Sequence, residues 1–116
     1  MSEIRRVLID WDYAGRGVWR ILSSEELHRE TDVDLWPRWE ELLTPELLHA
    51  LADWNVMGEA LSREADTVLA KEREFWNDAW NLACRVQGEL GESCEVLCHV
   101  PGGAWTWVRT PSAWRT

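Results

Sequence analysis

The chain has 116 residues, 46% of them hydrophobic and 28% charged, a length and balance that fit one folded domain and exclude a disordered or fibrous chain. Its formal charge of −9 is concentrated, because fifteen acidic and five basic residues lie between Glu25 and Asp78. A phosphate backbone repels such a field, which disfavours direct nucleic-acid binding, and no apolar run approaches the roughly 18 residues of a membrane span.

Residues 1–15, MSEIRRVLIDWDYAG, lack the long apolar segment of an export signal, so a cytoplasmic protein is expected. Cys84, Cys94 and Cys98 are an odd number in a chain with enough apolar residues for a core, and reduced thiols are expected. Tryptophan supplies ten of the twelve aromatic residues, more than so small a core readily hides, so some should sit at the surface as contact residues.

In chain order, residues 6–13 alternate as a strand, with Val7, Ile9, Trp11 and Tyr13 on one face and Leu8, Asp10 and Asp12 on the other. Ala14-Gly15-Arg16-Gly17 is a turn signal, and Val18 to Leu22 returns antiparallel to complete a hairpin. Ser24 caps a short helical turn, Arg29 to Asp34 reads as loop, and Pro37 opens another turn through Trp39, Leu42 and Leu43. Thr44-Pro45-Glu46 is a helix start, with a hydroxyl cap, a proline at the first helical position and an acid at the positive dipole end. Leu47, Leu51, Trp54 and Leu61 then form one stripe, broken only by Gly58.

A second helix, between about Asp66 and Leu90, aligns Val68, Glu72, Phe75, Ala79, Leu82, Val86 and Leu90, and Gly91 stops it. Residues 94–100 alternate as a strand, Pro101-Gly102-Gly103 turns the chain, and residues 104–109 form the last strand. The order β-β-α-α-β-β predicts an α+β domain, with a mainly antiparallel four-stranded sheet and two helices packed on one face. The other sheet face is then expected to be partly exposed, with Trp105, Trp107 and Arg109 projecting to one side of the last strand.

Two aspartates at the end of an apolar strand, Asp10 and Asp12, resemble the opening of haloacid-dehalogenase phosphatases and of some metal-dependent ribonucleases of the PIN/NYN type. That resemblance implies a magnesium-dependent phosphohydrolase or nuclease. Magnesium takes six oxygens, however, and residues 94–100 and 104–109 carry no aspartate to complete its shell. Cys94 and Cys98 stand about 13 Å apart on a regular strand, while tetrahedral zinc needs its sulfurs within about 4 Å. Cys84 reads as buried apolar filler, and His28, His49 and His99 are scattered. No catalytic residue, metal or cofactor is expected.

The pieces Trp11-Asp12-Tyr13, Val18-Trp19, the Thr-Pro-Glu-Leu helix with Leu51-Ala-Asp-Trp54, and the segment from Ala83 to Gly91 before Glu95-Val-Leu97 resemble a group of small acidic bacterial proteins. Its members also begin with a Trp-Asp-Tyr strand and end a long helix with Leu-Gly, so the resemblance bears on fold and implies no activity. Small size, concentrated negative charge and surplus tryptophan together point to a non-enzymatic binding module. An immunity protein or antitoxin that masks a basic partner site is the concrete form of that expectation. The candidate partner-binding residues are Trp105, Trp107, Glu59, Glu64, Glu72, Asp10 and Asp12. The alternatives are a small metal-dependent phosphohydrolase or nuclease using Asp10 and Asp12, and a homodimeric structural domain joined through its tryptophan-bearing sheet face.

Overall fold

The structure is a computed structural model that describes residues 6–23, 28–29, 37–64, 69–92, 94–100 and 104–108. Within them the elements run β1 (Arg6–Ile9), β2 (Val18–Ser23), β3 (His28–Arg29), α1 (Trp39–Leu42), α2 (Pro45–Ser62), α3 (Leu69–Leu90), β4 (Glu95–His99) and β5 (Trp105–Trp107). The architecture is α+β, as the alternation of periods implies.

The sheet is mixed, not mainly antiparallel, and has five strands in the order β3-β2-β1-β4-β5. β2 pairs antiparallel with β1, while β4 pairs parallel with β1, placing Val7 beside Val96 and Ile9 beside Cys98. The helices cause this, because they form a crossover long enough to return the chain to the end of the sheet at which β1 begins. β5 then turns back antiparallel along β4. The added strand β3 pairs with β2 through an irregular register, where the sequence predicts no strand and reads as loop from Arg29 onward. The Ser24 cap, Val68 and Arg109 lie outside the described residues.

Val7, Ile9, Val18, Val96 and Cys98 form the inner sheet face and pack against Trp39, Leu47, Leu51, Trp54, Phe75, Ala79, Ala83 and Val86 from the helices. The expected stripes therefore meet the expected strands. On the opposite face Leu8, Trp19, Ile21 and Leu97 form a second buried cluster, while Trp107 packed against it is only half-buried, so that face is closed at its centre and partly exposed toward β5. Cys84, expected inside, is exposed on α3, whereas Cys94 and Cys98 are buried.

The helix start works as its sequence suggests. Thr44 Oγ1 accepts from the Leu47 N–H at 3.4 Å, with Pro45 in the first turn. Glu89, near the far end of α3, accepts from the Thr44 N–H at 2.7 Å and from its hydroxyl at 2.8 Å, tying the start of α2 to the end of α3. Gly91 closes α3 in the left-handed region at φ 81°.

Two buried side-chain amides complete the frame. Gln87 Nε2 donates to Gly91 O at 2.9 Å and Cys94 O at 2.7 Å, while its Oε1 accepts from the Val96 N–H at 3.2 Å. It stands in for backbone partners where α3 turns into β4, at a point where unpaired groups in the interior would be costly.

Candidate functional site

The strand expected to carry Asp10 and Asp12 ends at Ile9, so the two carboxylates lie in the loop that follows and not on one strand face. Asp10 Oδ1 accepts from the Trp11 N–H at 2.9 Å, and Asp12 Oδ1 from the Tyr13 N–H at 2.8 Å. Such bonds to the next backbone amide belong to a turn, where short acidic side chains compete with ladder pairing. Among the described residues, no three His, Cys, Asp or Glu side chains come together as a metal site would require.

The loop rests on α2. Buried Asn55 accepts from the Asp12 N–H at 3.1 Å and donates to Asp12 O at 3.0 Å, a reciprocal pair that copies a backbone ladder rung. Glu59, one turn further along the helix, accepts from the Ala14 N–H and from Asn55 Nδ2, both at 3.4 Å. Tyr13 Oη and Ser62 Oγ are 2.7 Å apart, and Ser62 in turn donates to Glu59 O. Gly17, at φ 82°, lies against α2 so closely that a Cβ would stand 2.7 Å from Leu51 O. Arg16 reaches Glu40 on α1 at 2.6 Å. The Glu40 carboxyl is held below its ordinary value by a backbone hydrogen bond first and by this guanidinium second.

Because β1 and β4 are parallel, their carboxyl ends open on the same side of the sheet. Crevices at such ends are the common ligand sites of open sheets with parallel strands. Here an aromatic series crosses that end. Trp54 stacks on Phe75 at 4.6 Å, Phe75 meets Trp76 edge-on at 5.2 Å, and Trp76 contacts His99 at 5.2 Å and Trp105 at 6.1 Å. Trp105 ends the series at the surface, 37% exposed.

Beside it is a pocket of 290 Å³ whose lining includes Trp11, Trp76, Phe75, Ser62 and Glu72. Gly58 makes room for it, since a Cβ there would collide with the Trp11 indole and come within 2.9 Å of Phe75 Cζ. The gap in the α2 stripe is thus the seat of Trp11.

A second feature runs along the seam between α2 and α3. Two cavities, of 260 and 360 Å³, share Met57 and continue past Leu61 and Phe75 at one end and past Trp54 and Leu82 at the other. Met57 is 48% exposed there. Asp53, Glu74 and Asp78 stand among its acidic lining residues, together with Lys71 and Arg85.

The expected contact residues are therefore divided in their roles. Glu72 borders the pocket and Trp105 reaches it through Trp76, while Glu59 is engaged in holding the loop. Glu64 pairs with Lys71 at 3.5 Å. Trp107 is half-buried on the opposite face, with the Arg6 guanidinium 5.8 Å from its ring. Trp76 and His99 read in the sequence only as core filler and as a scattered histidine, whereas Asn55 and Gln87 are not singled out by the sequence reading, although both carry a usable signal. Each is an amide at a position that continues an apolar stripe.

No protein-family model, curated protein or solved structure matches the chain.

Proposed function

We propose that the protein is a non-enzymatic binding module that docks its acidic helical face onto a basic protein partner, as an immunity protein or antitoxin does. The observation that supports this most is the open seam between α2 and α3, where apolar Met57 lies half-exposed among acidic side chains. The apolar floor supplies area that a partner can cover. The acids around it supply steering and orientation, which charge complementarity does better than it supplies tightness. Asp78 and Glu74 make no ion pair among the described residues, so their field is available to a partner.

A photo-crosslinking residue placed at Met57, with a control at exposed Thr106 on β5, tests the reading in the native host. The Met57 probe should capture a basic polypeptide, and capture should fall when salt is raised to about 1 M, which shortens the screening length to about 3 Å. Equal capture from both positions, or indifference to salt, would refute it.

A further inference from the structure

We propose that the pocket between Trp11 and Trp76 is an anchor site for the guanidinium of an arginine side chain carried by the basic partner. The choice of a polypeptide as the source rests on the docking reading above, whereas the chemistry of the pocket is independent of it. At 290 Å³ the pocket lies at the lower limit of ordinary small-molecule sites, about 300 Å³, and suits a single side chain better than a larger ligand.

Three of its lining residues, Trp11, Phe75 and Trp76, are aromatic, and such rings attract a cation. Glu72 is the only ionised side chain among the described lining residues, and it has no hydrogen-bond or ion-pair partner among the described residues. A positive ligand gives this carboxylate the partner it lacks.

The nearby cations do not fill that place. Lys71 is paired with Glu64 at 3.5 Å, and the Arg63 guanidinium lies 5.9 Å from the Tyr13 ring centroid, next to Trp11. An anion would meet the Glu72 carboxylate unopposed, and a purely apolar group would cover Glu72 without satisfying it. Guanidinium is favoured over ammonium because its flat, weakly hydrated face stacks on indole while its edge donates two parallel bonds to a carboxylate.

The test uses the full chain labelled with nitrogen-15, with the indole N–H signals of Trp11 and Trp76 followed by nuclear magnetic resonance. The probe is the peptide acetyl-Gly-Arg-Gly-amide, compared with its lysine and citrulline counterparts and with tetramethylammonium. The arginine peptide should shift both indole signals saturably and more tightly than the lysine peptide, and the neutral citrulline peptide should leave them in place. Glu72→Gln, a change at an exposed position that leaves the fold intact, should weaken arginine binding about tenfold.

Absent shifts, equal binding of citrulline, an unaffected Glu72→Gln variant, or tighter binding of tetramethylammonium than of the arginine peptide would each overturn the assignment. Trp11 and Trp76 line the pocket and neither cavity of the Met57 seam, so their indole signals and the capture from Met57 report on different sites and the two ideas fail separately. A silent pocket with salt-sensitive capture from Met57 removes only the anchor. A responsive pocket without that capture removes the docking reading and the partner as its source.

Discussion

Replacing Asn55 by Ala should cost the protein about 2–4 kcal/mol, because one buried side chain holds both backbone groups of Asp12. Its carboxamide makes the bonds at 3.1 and 3.0 Å that fix the loop onto α2, and the residue is only 1% exposed. A hydrogen bond of this kind contributes about 1 kcal/mol net, and a group left unsatisfied in the interior costs about 1–3 kcal/mol. Asp12 O keeps the Gly15 N–H at 2.9 Å and Asp12 is half-buried, so water can reach the N–H and the sum falls in the lower part of that range. Against a total stability of about 5–15 kcal/mol the loss is large.

Urea unfolding followed by far-ultraviolet circular dichroism measures it, with Val56→Ala, 61% exposed on the same helix, as the control for backbone effects. Amide hydrogen exchange at Asp12 to Gly15 should accelerate more than exchange in β4, since the loop loses its anchor before the sheet loses its core. A loss below about 1 kcal/mol, or one no larger than that of Val56→Ala, would show that the Asn55 pair does not hold the loop.

Trp54 and Trp105 should separate cleanly. Trp54→Ala removes a 2%-exposed ring that stacks on Phe75 and donates to Phe75 O at 2.9 Å, and it should cost about 3–5 kcal/mol. Trp105→Ala loses only edge contacts and should cost about 1 kcal/mol in the same urea titration, so equal losses would place β5 in the closed core. Burial pushes the Cys98 thiol up from 9.0 to about 12, with the Asp10 charge adding to it and a backbone bond at His99 opposing it. In the folded chain the thiol therefore stays protonated while an unfolded one ionises. Its contribution is complete below about pH 9 and is lost as pH rises toward 12, at up to about 1.4 kcal/mol per pH unit. Urea midpoints of the wild type should fall more steeply than those of Cys98→Ala between about pH 9 and 11. Parallel slopes would refute the link.

Much of the local structure was legible because it depends on neighbours in sequence. Thr44-Pro45-Glu46 caps a helix wherever it occurs in a chain free to form one, Gly91 supplies the left-handed residue that stops α3, and the Leu47, Leu51 and Trp54 stripe needs a core on one side. Alternation likewise located β1, β2, β4 and β5. Alternation could not say which strand lies beside which. Val96 pairs equally well in either direction with an apolar neighbour, and the choice of β1 in parallel depends on the whole crossover returning to one end of the sheet.

The pocket follows from that choice. Trp11 is far in sequence from Ser62 on α2 and from Glu72 and Trp76 on α3, and these groups meet only because α2 and α3 pack over the same sheet face and leave Gly58 opposite the Trp11 ring. Sequence alone fixed which residues favour helix, strand and turn, since those preferences arise from sterics and hydrogen bonding within a few residues. Tertiary packing decided which amides became clamps, how far each sheet face closed, and which acids among the described residues gained an ion-pair partner. Those outcomes depend on distances between elements that no local preference contains.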